Sequence, residues 1–208
     1  MNNFREKIIS ISQSYSDKLK EKMHNREEEM KNDNLDHYLI YQVLGISEEE
    51  GYKIDLYQNK GRFLYKYAGS FLEDITIECF KEKFRDAKEK EKVENNQGNR
   101  PKKFEIDCLV DNHAYEIKWR DATTDGDHIT KEHTRAKCIK SHGYIPIRIM
   151  FFYPNRSQAI KIQDTIKTIY TGLGGKYYFG DDAWEFIKNE TGIDLKNMLI
   201  DIAQSKTI

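Results

Sequence analysis

The sequence predicts an α/β (α+β) protein with a central mixed β-sheet flanked by helices, and three segments in its middle predict it. Residues 104–120 alternate apolar and polar side chains as two strands joined by a tight turn. Residues 128–140 have the spacing of a helix, and residues 144–153 form an apolar run typical of a buried strand. A hairpin followed by a helix and another strand requires a helical crossover, so the sheet is expected to mix antiparallel and parallel pairs.

Length and composition limit the class of protein. A chain of 208 residues is long enough for one compact domain with a sizeable core. Its 33% of charged residues and the lack of any apolar run near 20 residues exclude a membrane span, and the amino terminus does not resemble a signal peptide, so we expect a cytoplasmic protein without a membrane partner. A net charge of −1 argues against indiscriminate coating of nucleic acid.

Residues 1–60 are predicted to form a helical amino-terminal extension. Apolar side chains spaced by three and four indicate a first helix of about six turns. They are Phe4, Ile8, Ile11, Tyr15, Leu19 and Met23. This stripe either packs on the body of the domain or serves as a dimerisation arm. A second helix is expected over 35–44, a short third one from Ser47, and a loop or short strand over 55–62.

A deeply packed helix is predicted from about Tyr67 to Phe84, and it carries the acidic residues Glu73, Asp74 and Glu78. The following residues, 85–103, lack apolar periodicity. They are interpreted as an exposed, charged helical end and a loop.

The hairpin itself carries a notable set of charges. Its alternation places Asp107, Glu116 and Lys118 on one face. If the loop consists of Asp111 and Asn112, the register brings Asp107 directly opposite Glu116, whereas a three-residue loop would make the contact diagonal. Because opposed like charges destabilise a bare hairpin, this arrangement indicates a bound cation.

The carboxyl-terminal third is predicted to be mainly helical. Asp127 or Thr130 can cap the helix over 128–140, and Pro154 closes the strand that follows. Residues 155–208 then contain an amphipathic helix over 159–170, a glycine-rich turn, and a helical segment over 183–203.

The hairpin motif resembles the active site of a known superfamily. Asp107, followed after eight residues by Glu116-Ile117-Lys118, is similar to the motif of the PD-(D/E)XK nucleases, with Ile106 where many members have proline. The run from Tyr115 to Arg156 resembles the ApaLI-like restriction endonucleases, a resemblance that extends from about Tyr67 to the carboxyl terminus. It implies a single nuclease domain over 1–208 with a restriction-endonuclease-like core over 67–153.

The resemblance implies a catalytic set of Asp107, Glu116 and Lys118. The two carboxylates and the backbone carbonyl of Ile117 would bind Mg²⁺, for which Mn²⁺ can substitute. Lys118 would orient or deprotonate a water and stabilise charge on the phosphorane. Nearby carboxylates raise the pKa of a lysine, so orientation and electrostatic stabilisation are the favoured roles.

Further residues are predicted around this set. Members of the superfamily commonly add a glutamate from the preceding helix, for which Glu73 is the first choice and Glu78 the second, while simple solvation of these acids is an equal alternative. DNA contacts are predicted for basic side chains near the hairpin, although a solvated charge run also explains several of them. They are Arg100, Lys102, Lys103, Arg120, Lys131 and Arg135.

The expected function is therefore a Mg²⁺-dependent Type II restriction endonuclease that cuts double-stranded DNA at a short palindrome. The type member of the resembled family reads GTGCAC. Cutting both strands predicts a homodimer, with the stripe that begins at Phe4 as the preferred interface. Two alternatives stay open: a nuclease of repair or recombination, such as a junction-cleaving enzyme, and a non-catalytic DNA-binding protein of the same fold.

Overall fold

A computed structural model describes residues 2–98, 100–121, 123 and 125–206. Its elements in chain order are α1 (Asn2–Lys31), α2 (Tyr38–Val43), α3 (Glu48–Lys83), β1 (Lys88–Glu94), β2 (Lys103–Val110), β3 (His113–Arg120), α4 (Asp127–Ser141), β4 (Ile145–Phe152), α5 (Ser157–Gly172), β5 (Lys176–Phe179), α6 (Asp181–Thr191) and α7 (Leu195–Lys206). The chain forms two compact units, Met1–Phe71 and Leu72–Ile208, called unit 1 and unit 2 below. The prediction of a single nuclease domain stays a prediction.

Helix α1 is longer than expected. Its 30 residues make about eight turns instead of six. Phe4 and Ile8 are buried within the chain, and Tyr15 meets the rings of Tyr67 and Phe71 edge-on, with centroids 6.1 and 5.8 Å apart. The packing interpretation of the stripe is therefore confirmed for these residues.

Helix α3 overturns the prediction of a loop or short strand over 55–62. The helix runs without interruption from Glu48 to Lys83, and Asn59 Nδ2 donates to the Asp55 carbonyl at 2.8 Å within it. No proline interrupts this segment, so its many polar residues form a long helix instead of a loop. Its start was predicted correctly, because Ser47 Oγ accepts the Glu50 N–H at 3.2 Å as an N-terminal cap.

Unit 2 contains the predicted mixed sheet, in the order β1-β2-β3-β4-β5. The pairs β1–β2 and β2–β3 are antiparallel, and β3–β4 and β4–β5 are parallel. α4 and α5 are the crossovers between the parallel strands, and they pack on one face around Ala136, Met150 and Ile166. On the other face Phe80 of α3 stacks on Tyr115, with ring centroids 4.3 Å apart.

Several local predictions were wrong. Residues 88–94 form strand β1 and not a helical end, and residues 176–179 form β5 within the expected glycine-rich turn. The last helical segment is two helices, separated where Gly192 adopts a φ of 77°. Neither Asp127 nor Thr130 caps α4; instead Asp125 Oδ1 accepts the Asp127 N–H at 3.0 Å.

Candidate active site

The hairpin β2–β3 has the predicted two-residue loop. Val110 pairs with His113, and Asp111 takes a φ of 51°, as a tight hairpin turn requires. The paired register continues only to Cys108 opposite Tyr115 in these described strands. Beyond that point the Asp107 carboxylate replaces the ladder, because its Oδ2 accepts the Ile117 N–H at 2.7 Å.

The three predicted catalytic side chains lie together. Lys118 Nζ is 2.6 Å from Glu116 Oε1 and 3.7 Å from Asp107 Oδ2. Both carboxylates are buried, whereas the lysine side chain remains 31% exposed. The sequence thus places an ammonium group between two acids at the border of the protein interior.

A further cation contacts the same glutamate. Arg135 Nη1 of α4 lies against Glu116 Oε2, and its Nε is 3.6 Å from Glu132 Oε1. Arg135 was predicted to contact DNA, but the structure places its guanidinium on Glu116. The sequence spacing of α4 relative to β3 could not reveal this pairing.

The surroundings shift the pKa values of the two acids in opposite directions. Burial alone would raise the pKa of Glu116, but the charges of Lys118, Arg135 and Arg148 outweigh it and lower that pKa. Burial raises the pKa of Asp107, and the charge of Glu116 adds to this effect against the opposing charge of Lys118. Asp107 is consequently the acid that the metal-free protein stabilises poorly as an anion.

Lys118 is held in its charged form. Burial opposes the charge, but Glu116 and Asp107 together raise the pKa of the ammonium group above its usual value. An ammonium group with a raised pKa is a poor base at neutral pH. The geometry therefore agrees with orientation and charge stabilisation as the tasks for Lys118.

Of the two helix acids, Glu73 is the one whose pKa responds to the charges of Lys118 and Glu116. Burial raises the pKa of Glu73, with opposing and reinforcing effects from the charges of Lys118 and Glu116. Glu78 instead approaches Lys81, with 3.3 Å between Oε1 and Nζ.

Sequence reasoning missed a buried charge network behind the site. Arg148 on β4 is completely buried, stands opposite Glu116 in the β3–β4 register, and donates to Glu132 Oε2 at 2.7 Å and to Asp121 Oδ2 at 2.8 Å. Tyr170 OH also donates to Glu132 Oε2, at 3.2 Å. An arginine inside the apolar run IPIRIMFF was the available signal, because a buried guanidinium requires acidic partners.

The remaining predicted DNA-contact residues lie outside this cluster. The side chains of Arg100, Lys102, Lys103, Arg120 and Lys131 are exposed. Lys103 Nζ lies 2.6 Å from Glu94 Oε1, and the Arg120 guanidinium lies 5.7 Å from the centre of the Trp119 ring.

The donor set suits a hard divalent cation. Both Glu116 carboxylate oxygens are buried and touch cations without a hydrogen bond of regular geometry. Oxygen donors of this kind are the ligands that Mg²⁺ prefers. As they stand, no three histidine, cysteine or acidic side chains among the described residues are arranged to hold a metal ion. Asp107 and Glu116, which point at Ile117, Lys118 and Arg135, would have to turn towards it.

Comparison with known proteins defines the class. The model of the ApaLI-like restriction endonuclease family matches residues 1–204. The chain is therefore a nuclease that acts on DNA, and it belongs to the ApaLI-like restriction endonuclease family. The match includes the amino-terminal helices, so the resemblance begins well before Tyr67, where the sequence analysis placed its start.

Two other comparisons add no relative. No curated protein and no solved structure matches the chain. Across the part of the chain that the structure describes, none of the helices is long and apolar enough to cross a membrane.

Proposed function

We propose that this family member is a Mg²⁺-dependent Type II restriction endonuclease with a PD-(D/E)XK active site, which cuts both strands of a short palindromic duplex as a homodimer. One observation carries the proposal: Lys118 Nζ lies 2.6 and 3.7 Å from two buried carboxylates on adjacent strands of one hairpin. A surface hairpin of mixed charges would leave such acids in water, where they are stable without a cation.

Asp107, Glu116 and the Ile117 carbonyl would hold the metal, with Glu73 as a further oxygen ligand from α3. Mg²⁺, or Mn²⁺ in its place, supplies activation of a bound water and neutralises charge on the scissile phosphate when bound. In the metal-free protein the Ile117 N–H holds the Asp107 carboxylate beside the site, and this hydrogen bond would give way as Asp107 turns towards the metal.

Lys118 contributes a positive charge at the reacting phosphate. Its ammonium group is anchored by Glu116, yet its partial exposure lets it face the solvent side, from which DNA approaches. It orients the attacking water and stabilises the negative charge that develops on the phosphorane. It need not lose its own proton for either task.

Arg135 balances Glu116 in the metal-free protein. A buried carboxylate is costly without a partner, and Arg135 and Lys118 occupy its two oxygens. Arg135 and a divalent cation therefore compete for Glu116. Contacts to the DNA backbone are proposed for Arg100, Lys102, Lys103, Arg120 and Lys131, and for Arg135 once it leaves Glu116.

The test is cleavage of duplex DNA that contains GTGCAC, in Mg²⁺ and in EDTA. Lys118→Ala and Glu116→Gln should each lower the cleavage rate by about 10²–10³-fold or more, because each removes a charge from the reacting centre. Lys188→Ala is the matched control, since Lys188 pairs with Asp194 on the surface at 3.0 Å. Full activity of either site variant would contradict the proposed mechanism.

Sequencing of the fragment ends separates the alternatives. A restriction endonuclease should cut at one short palindrome throughout, whether GTGCAC or another sequence, so that joining the two ends of any cut restores that palindrome. Cleavage of branched DNA without cleavage of linear duplexes would favour a repair or recombination nuclease. Metal-independent binding without cleavage of any substrate would favour a DNA-binding protein.

A further inference from the structure

We infer that unit 1 carries a self-complementary surface on α3 through which a second copy of this chain docks. The surface, called the α3 stripe, consists of Ile54, Tyr57, Gly61, Leu64, Tyr65 and Ala68. At 3.6 residues per turn, these positions fall within an arc of about 100° on one side of the helix. The four large side chains are 51%, 70%, 49% and 53% exposed, in chain order.

The α3 stripe is not the face of α3 that packs inside unit 1. Arg26 of α1 donates to Asn59 Oδ1 at 3.3 Å, and Tyr15 of α1 meets Tyr67. At about 100° per residue, Asn59 lies almost opposite the middle of the stripe, and Tyr67 lies roughly 110° away from it. α3 is thus apolar on two sides, while α1 covers one of them.

Four positions of the stripe are spaced symmetrically about Gly61, whereas Leu64 has Gln58 at the matching position. Tyr57 and Tyr65 lie four residues before and after this glycine, and Ile54 and Ala68 lie seven residues before and after it. If two copies of α3 cross antiparallel with a two-fold axis at Gly61, each Tyr57 meets Tyr65 of the second copy. Each Ile54 then meets the small Ala68. Such self-complementarity is what an isologous two-fold interface requires.

Gly61 leaves room at the centre of this arrangement. Apart from its chain neighbours and the backbone of its own helix, no atom of the described residues lies within 4 Å of the position that a Cβ would occupy there. Two helices that cross at glycine can approach closely, so the larger side chains on either side interdigitate.

The exposed apolar area of the stripe is large enough to form the centre of a dimer contact. The four large side chains of the stripe expose roughly 450 Å², taking about 100 Å² for a half-exposed aliphatic side chain and somewhat more for tyrosine. Helix α2 exposes a similar amount through Leu39, Ile40, Val43 and Leu44, which are 59–74% exposed. The α3 stripe alone therefore supplies about half of the roughly 800 Å² per partner of a standard interface, and the α2 segment is a second exposed apolar surface of unit 1.

On the flank of the stripe that carries Lys53 and Lys60, the charges favour a protein partner over nucleic acid. Lys53 is paired with Glu49, and Lys60 Nζ lies 3.1 Å from Glu27 Oε2. Lysines that are already neutralised within the chain contribute little to phosphate binding. Exposed aliphatic and aromatic side chains between them suit an apolar surface of the same kind.

This inference names the contact surface of the homodimer in the proposed function, and in that respect it rests on that function. The two are tested separately, because association can be measured without DNA or metal. Cleavage by a chain that stays monomeric would overturn the α3 stripe and the homodimer of the proposed function, and it would leave the proposed nuclease chemistry intact. A dimer that forms through the stripe but cuts no DNA would support the stripe and overturn the nuclease proposal.

The first experiment is equilibrium sedimentation of the full chain at micromolar concentration in EDTA. The wild type should have a mass near twice 24.7 kDa, and Gly61→Arg should have half that mass with an unchanged circular dichroism spectrum. Gly69→Arg is the control, because Gly69 lies in the same helix with equal space around it but off the stripe. A monomeric wild type, or a dimeric Gly61→Arg, would overturn the inference.

The second experiment tests the position of the axis. Gly61→Cys should form a disulfide-linked dimer under mild oxidation, since a two-fold axis at this position brings both thiols together. The native Cys79, Cys108 and Cys138 are buried, so they give little background. Gly69→Cys should not cross-link. If the protein is dimeric but neither variant cross-links, the interface lies elsewhere. The same holds if only Gly69→Cys cross-links.

A different outcome would assign the stripe to nucleic acid. In that case the wild type stays monomeric, and Gly61→Arg loses DNA binding.

Discussion

The two units of the chain differ in which side chains they hold in an unfavourable environment. Unit 2 buries polar and charged side chains, whereas unit 1 exposes large apolar ones. Every buried polar or charged side chain among the described residues lies in unit 2: Thr76, Asp107, Glu116, Glu132, Arg148, Gln163 and Thr191. The large apolar side chains that are exposed lie mostly in unit 1. Of eleven such described residues, nine precede residue 72, and only Phe152 and Ile200 follow it.

This difference agrees with separate tasks for the two units. Buried charges are costly and persist where chemistry needs charges away from bulk water. Exposed apolar surface is costly in another way, and it persists where a partner covers it. This division agrees with the proposed nuclease site in unit 2 and with the proposed contact surface on unit 1.

The largest stability effect expected on unit 2 comes from Arg148. Arg148→Met leaves Glu132 and Asp121 without their buried cation, so the free energy of unfolding should fall by about 3–5 kcal/mol. Chemical denaturation in EDTA measures it. Arg62→Met, at an exposed arginine of unit 1, is the matched control and should change stability by less than about 0.5 kcal/mol. Equal effects of the two substitutions would remove the contrast between the units.

Arg148 also marks the limit of what the sequence could predict. The hairpin, its two-residue loop and the helical crossover through α4 followed from local periodicity, and these brought Asp107, Glu116 and Lys118 together. The partners of Arg148 depend on how α4 lies over the sheet, which no local pattern encodes. Its position in an apolar strand indicated only that partners must exist.

The missed strands have a similar explanation. β1 consists almost entirely of alternating lysine and glutamate, and of its residues only Val93 is buried, so it has no apolar period to detect. It is a strand because β2 offers backbone partners along its length. β5 is four residues long and is defined by parallel pairing with β4. Long-range pairing thus determines both strands. The prediction of a loop over 55–62 in α3 was wrong for another reason, because a polar segment can belong to a long helix.

A valine in each unit sharpens the comparison. Val110 at the end of β2 is 4% exposed, and Val43 of α2 is 74% exposed. Val110→Ala should lower the free energy of unfolding by roughly 1–3 kcal/mol, since it leaves a cavity. Val43→Ala should change it by less than about 0.5 kcal/mol in the dissociated protein. If Val43→Ala proves as costly at a concentration that keeps the chain monomeric, α2 is covered within one chain.

The smallest expected change in the free energy of unfolding concerns Asp107. Unlike the substitutions above, Asp107→Asn should raise it. A raised pKa means that the folded state holds the proton of Asp107 more tightly than the unfolded state, so ionisation destabilises the fold as pH rises. Asp107→Asn keeps an acceptor for the Ile117 N–H and removes that charge. In EDTA the variant should therefore be more stable than the wild type by about 1 kcal/mol at neutral pH, with the advantage shrinking as pH falls towards the ordinary value for aspartate.

Thermal melting across pH checks the Asp107→Asn prediction. The same variant should show no rise of the melting temperature on addition of Mg²⁺, whereas the wild type should show one. A variant that is less stable than the wild type at every pH would mean that Asp107 stabilises the metal-free fold.

The outer strand β1 has a consequence for the behaviour of the protein in concentrated solution. A sheet edge offers unpaired backbone groups on which further strands can add, and this growth leads to aggregates. Along β1 three lysines and three glutamates alternate, and several are engaged across the surface, as in Lys92 with Glu105. A strand that paired with β1 would have to desolvate these charged side chains. The β1 edge is thus protected against open-ended growth, which favours closed, two-fold association as the route by which copies of the chain meet.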